Sequence, residues 1–138
     1  MITGLHHINL VVPRDTLDDA AAFYGETLGL TPRPVPKLQQ GTLLWFDIAD
    51  TKQQVHIAFG QPADFSHFSR RHPCFRVGDS EQLATLRQKI HEHFKRGGTG
   101  APKEADEPGK ENSGNQGEEY PERFFARDYA GNRLEFSL

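Results

Sequence analysis

The feature that most constrains this 138-residue chain is an order of elements that occurs twice. Residues 5–12 (LHHINLVV) are rich in β-formers and stop at Pro13, so they read as a strand. A helix is expected over about 16–28, capped by Asp15 or Thr16, with Thr16 and Asp19 approximating a capping box. Its apolar stripe is Leu17, Ala20, Ala21, Tyr24 and Leu28, and Gly29 closes it. Leu30–Val35, Thr42–Ala49 and Gln54–Phe59 follow as three strand-like runs. The second half repeats this order. Cys74–Val77 reads as a strand, and a helix at about 80–95 is capped by Asp79 or Ser80. Its stripe of Leu83, Leu86, Ile90 and Phe94 ends at Gly97 and Gly98. Arg123–Arg127 and Arg133–Leu138 then form two strands about an Asp-Tyr-Ala-Gly-Asn turn.

The pattern is βαβββ twice. It predicts an α+β fold in which two modules form an open, cup-shaped mixed β-barrel with the helices outside. Module one spans about 1–62 and module two about 70–138 of a single domain. One strand of the second module is hard to find. Residues 97–122 hold seven acidic residues against two lysines and no apolar run. They read as a flexible surface insertion with few ordered contacts.

Side chains alternate between the faces of a strand, so a shared phase identifies a shared face. Ile8, Leu10 and Val12 form one face of the first strand, with His7 and Asn9 opposite. Val55, Ile57 and Phe59 leave His56 opposite, Phe75 and Val77 leave His72, Cys74 and Arg76, and Leu134 and Phe136 leave Glu135. The apolar faces should meet the helices. The other faces then direct His7, His56, His72 and Glu135 into the cup, a donor set suited to a borderline divalent ion. His6 would lie on the helix side.

Composition narrows the partners. A net charge of −3 gives no general attraction for nucleic acid or an anionic membrane surface. The start lacks the pattern of a secretory leader, no run is long enough to span a membrane, and Cys74 is the only cysteine. A cytoplasmic protein acting on a small molecule is expected.

The words LHHINLVVP, AFYGETLGL, QVHIAF, HPCFRV and RDYAGNRLEF, in this order, resemble the vicinal oxygen chelate superfamily. That group includes glyoxalase I, fosfomycin-resistance transferases, methylmalonyl-CoA epimerase, extradiol dioxygenases and bleomycin-binding proteins. The resemblance implies a glyoxalase-like domain, often homodimeric, with ligands on the first and last strands of each module. Here those positions hold His7, His56, His72 and Glu135. The glyoxalase and epimerase branches use all four positions, usually with Glu or Gln where His56 stands. The dioxygenase and fosfomycin branches use three, and bleomycin binders lack them. Val11 and Gly60 occupy positions where bacterial glyoxalase I has Arg and Asn, and EYPERFFARDYAGN does not resemble the fosfomycin potassium loop.

The expected activity is that of a metal-dependent lyase or isomerase stabilising an enolate or alkoxide of a vicinal-oxygen substrate. The ion would be zinc, nickel, manganese or iron. Glu135 would serve as ligand and proton shuttle, with His56 as a further ligand or catalytic acid/base. Asn9, Trp45 and Phe125 would line the pocket, and Arg76 would bind an anionic group. Cys74 reads as a small pocket residue, His67 as a solvated loop residue, and His91 and His93 as surface-facing. Two alternatives remain open: an iron extradiol-type dioxygenase using His7, His72 and Glu135, or a metal-containing binding protein without turnover.

Overall fold

The structure is a computed structural model and describes residues 1–66, 69–114 and 122–138. It divides into two compact units, Met1–Phe65 and Ser66–Leu138. Each is a four-stranded mixed sheet with one helix, so the class is α+β.

In the first unit, strand β1 (His7–Val12) is followed by a helical segment in two parts. Helix α1 (Leu17–Ala20) widens into a π-helical turn over Ala21–Thr27. One regular α-helix was expected over this span. Gly25 adds no side chain to hold a tight turn, and the Thr27 hydroxyl donates to the Ala22 carbonyl at 3.3 Å. Leu28 N–H accordingly reaches back five residues to the Phe23 carbonyl. Strands β2 (Thr31–Arg33), β3 (Leu43–Asp47) and β4 (Gln54–Phe59) complete the sheet in the order β1-β4-β3-β2. Strand β1 runs parallel to β4 and the other pairs are antiparallel. The core is Val12, Ala20, Phe23, Tyr24, Phe46, Val55 and Ile57, each at most 1% exposed.

The second unit repeats this topology. Strands β5 (Cys74–Arg76), β6 (Glu104–Ala105), β7 (Arg123–Arg127) and β8 (Arg133–Ser137) are ordered β5-β8-β7-β6, with β5 parallel to β8. Helix α2 (Ser80–Arg96) is capped by the Asp79 carboxylate, which accepts from Gln82 N–H at 2.8 Å. It ends at Gly97, whose φ of 75° suits glycine. Its buried stripe is Leu83, Ile90 and His93, while Phe94 is 39% exposed. His93 is therefore a core-facing residue and not the surface residue expected. Steps of three to four residues from Leu83 and Ile90 arrive at position 93.

Residues 97–114 also depart from expectation. They supply β6, the strand that the sequence concealed, and polar bonds hold them in place of apolar burial. The Arg87 guanidinium donates to the carbonyls of Asp106, Glu107 and Lys110 at 3.3, 2.8 and 2.8 Å. One Asp106 carboxylate oxygen accepts from Ser113 and Phe125 N–H at 3.0 and 2.8 Å. Across the β7–β8 turn, the fully buried Asp128 carboxylate collects the N–H groups of Ala130 and Asn132 and the Asn132 amide. Among the described residues no helix is long and apolar enough to cross a membrane.

Candidate functional site

In the first unit the parallel register sets Asn9 beside His56 and His7 beside Gln54. The imidazoles of His7 and His56 stack with centroids 4.0 Å apart and planes 12° from parallel. On the other side of β4, Trp45 is the register partner of His56 and stacks on it at 4.7 Å. His56 is thus sandwiched between an indole and a second imidazole. Trp45 Nε1 is buried without a hydrogen-bond partner among the described residues.

A chain of hydrogen bonds orients His56. Gln54 Nε2 donates to Asp47 Oδ1 at 2.7 Å, which turns Gln54 Oε1 toward His56 Nε2 at 2.9 Å. A carbonyl oxygen only accepts, so His56 carries its hydrogen on Nε2 and leaves the Nδ1 lone pair for an electrophile. Burial lowers the His56 pKa, and the charges of His7 and His6 lower it further. The Gln54 and Arg33 hydrogen bonds lower that of Asp47, whose Oδ2 is 3.1 Å from Arg33. His6 is exposed and does not face the helix. Its carbonyl accepts from Gln54 N–H at 3.1 Å just ahead of β1, and its Nδ1 lies 3.0 Å from that of His7.

In the second unit β5 and β8 pair in parallel with Cys74 beside Glu135. His72, two residues ahead of β5, places Nε2 2.9 Å from Glu135 Oε2. Its Nδ1 is 2.7 Å from the Arg70 carbonyl, which can only accept, so Nδ1 bears a hydrogen. Nε2 and a carboxylate oxygen would then oppose lone pairs unless a proton or a metal cation sits between them. A separation of about 3.0 Å is also the edge of an octahedron with metal–ligand bonds of about 2.1 Å. The donor chemistry and spacing of this pair therefore fit a divalent ion. Arg123 grips the other oxygen of Glu135 at 3.2 Å, and both side chains are nearly buried. The Phe125 ring meets His72 edge-on at 5.7 Å.

The structure therefore joins His7 with His56 and Trp45, and His72 with Glu135 and Phe125. Within neither unit do three or more His, Cys, Asp or Glu side chains gather into a metal-binding group among the described residues. Asn9 is exposed on β1, and Arg76 is exposed opposite Ser137. Cys74 is exposed, yet desolvation of its thiol and then the Glu135 charge raise its pKa, which argues against a nucleophile. His67 lies outside the described residues. Gln54, Asp47 and Arg123 were missed from sequence. Strand alternation could have found them, since Gln54 is two residues from His56 and Arg123 two from Phe125.

No family model and no curated protein matches the sequence. Solved structures do. A Bacillus anthracis protein assigned to the glyoxalase family is 26% identical, over 99% of this chain and 94% of that chain, with a TM-score of 0.70. A mutant of the fosfomycin resistance protein FosX from Listeria monocytogenes, complexed with Mn(II) and 1S,2S-dihydroxypropylphosphonic acid, is 17% identical. Its match covers 99% of this chain and 92% of that chain, with a TM-score of 0.72. A glyoxalase/dioxygenase from Nostoc punctiforme is 20% identical over 96% of this chain and 88% of that chain, with a TM-score of 0.67.

Proposed function

We propose that this chain, which carries the vicinal oxygen chelate fold, is a metal-dependent lyase or isomerase acting on a small vicinal-oxygen substrate. The observation that supports it most is the His72–Glu135 pair, held 2.9 Å apart with the far imidazole nitrogen already committed to Arg70. His7 and His56 would supply two further ligands, and crystals of the FosX neighbour contain Mn(II). A divalent ion bound by these residues would supply Lewis-acid stabilisation of an enolate or alkoxide. Glu135 would take a proton from a substrate carbon and return it, while Arg123 holds Oε1. Trp45 would line the pocket beside His56, and Phe125 beside His72.

Elemental analysis of protein purified without added metal or chelator tests this reading, with His56→Ala analysed in parallel. Zinc, nickel or manganese bound stoichiometrically in the wild type and reduced in the variant is the expected result. Absence of metal from both, even after reconstitution, overturns it. The face-to-face stacking of His56 on His7, which does not converge their ring nitrogens on one ion, favours a second reading, in which His56 stays outside the ligand set of an iron dioxygenase. Iron that survives His56→Ala, with oxygen consumed in the presence of a catechol, would select it. The chain is further proposed to act as a homodimer. Mixing His7→Ala with His72→Ala chains restores activity only if two copies share a site.

A further inference from the structure

A cavity of about 160 Å³ lies in the second sheet, lined by Glu104, Asp106, Ser113, Phe125, Arg127 and Arg133. One water needs about 10–15 Å³ on the same measure, so the cavity admits a small oxyanion head group. Its charges are committed with one exception. Glu104 Oε2 is 3.1 Å from Arg127 Nε, and the remaining Arg127 nitrogens donate to the Gly131 and Ser69 carbonyls at 3.0 and 3.2 Å. The Asp106 carboxylate is bound by the Ser113 and Phe125 N–H groups. Arg133 stands apart. Its guanidinium carbon lies 4.5 Å from the Phe125 ring centroid, and no hydrogen-bond or ion-pair partner meets it among the described residues. In the β7–β8 register it faces Arg127, a like-charge pair that destabilises a ladder unless counter-charge is supplied. Glu104 answers Arg127, and nothing in the described chain answers Arg133.

We infer that Arg133, presented over the face of Phe125, is the binding site for the oxyanion head group, carboxylate or phosphonate, of this protein's small-molecule ligand. A guanidinium offers two parallel N–H donors to such a group, and stacking on the ring fixes its plane. Arg133 and Glu135 are two residues apart on one face of β8, a strand distance of about 7 Å. Phe125 touches both neighbourhoods, with His72 at its edge and Arg133 on its face. A ligand anchored at Arg133 therefore presents atoms a few bonds from its charge to the His72–Glu135 pair. The inference deepens the proposed function and rests on it for the identity of the reacting end. The anion subsite itself stands on the cavity and the uncommitted guanidinium.

The test titrates the full chain, with EDTA present, with acetate, glycolate, methylphosphonate and chloride at matched ionic strength. Backbone amide shifts of Phe125, Ala126 and Asn132 are followed by NMR. Saturable shifts with the carboxylates or with methylphosphonate, and none with chloride, are expected, and the arm that saturates identifies the head group. Arg133→Gln should weaken that binding at least tenfold, Arg133→Lys less, and the exposed Lys95→Gln not at all. Absence of saturable binding to the wild type, or unchanged binding in Arg133→Gln with a native spectrum, overturns the inference. If Arg133→Gln does not fold, Arg133→Lys binding as well as wild type does so instead. Mn(II) affinity is measured separately on the same proteins without EDTA. Intact metal binding without anion binding removes this inference alone, and the reverse removes only the metal-dependent reading.

Discussion

His56 Nε2 donates to Gln54 Oε1 at 2.9 Å, two residues back along the same strand, and Asp47 fixes the orientation of the Gln54 amide. A glutamine thereby sets which nitrogen of a histidine is free. Gln54→Leu should leave the fold intact and abolish the preference for the Nε2–H tautomer, read from imidazole ¹⁵N shifts. Divalent-metal affinity should fall about tenfold, the lower end of the range for lost outer-sphere bonds. An unchanged tautomer in Gln54→Leu would show that the stack between Trp45 and His7, and not the amide, orients the ring.

The lowered pKa of His56 gives a signed dependence on pH. The unfolded chain takes up a proton near the ordinary value of 6.5, while the folded chain resists until lower pH. Stability is therefore complete above about 6.5 and is lost as pH falls below it. Asp47 acts in the same direction in a later window, because its lowered pKa contributes stability above 3.8 that is lost on further acidification. Urea midpoints of the metal-free protein should drop between pH 7.5 and 5.5, and drop less in His56→Gln. Parallel slopes for the two proteins would assign the loss elsewhere.

A methyl group at Gly114 would collide with the Phe125 ring. Gly114→Ala is expected to cost about 1–3 kcal/mol by overpacking and to displace the ring on which Arg133 lies. Urea denaturation measures the first effect and near-ultraviolet circular dichroism the second. A variant equal to wild type in both would mean that the 112–114 loop yields freely.

Arg87 secures the segment that carries β6 by donating to three carbonyls. Hydrogen bonds from charged groups contribute about 1.5–3 kcal/mol, and partial exposure here reduces that. Arg87→Met should destabilise by roughly 1–3 kcal/mol and accelerate amide exchange at Lys103 and Asp106, whose N–H groups pair with Arg127 and Phe125. Unaltered exchange at those amides would refute the anchoring role.

Much of the fold was legible because alternation and helical spacing are local properties. Gln54–Phe59 and Arg123–Arg127 have the bounds expected from their β-branched and aromatic runs. The phase that set His56 opposite Val55 and Ile57 is seen in their complete burial. What escaped was held by polar bonds between distant positions. Strand β6 has no apolar signature because Arg87 and Asp106 secure its surroundings. The burial of His93 depended on how the stripe of α2 continues past Ile90, which a count of apolar residues assigned to Phe94. The groups that fix the ring hydrogens of His56 and His72 are an amide and a backbone carbonyl, groups too common in any sequence to stand out.

In both sheets the first and last strands of the unit lie side by side: β1 with β4, and β5 with β8. His7 and His56 lie within the first register, and Glu135 within the second, with His72 two residues ahead of β5. The chain between the two paired strands makes its excursion and returns without entering their shared register. The 97–114 segment, with β6, belongs to that excursion between β5 and β8. Such an arrangement uncouples the length of the excursion from the spacing of the paired strands.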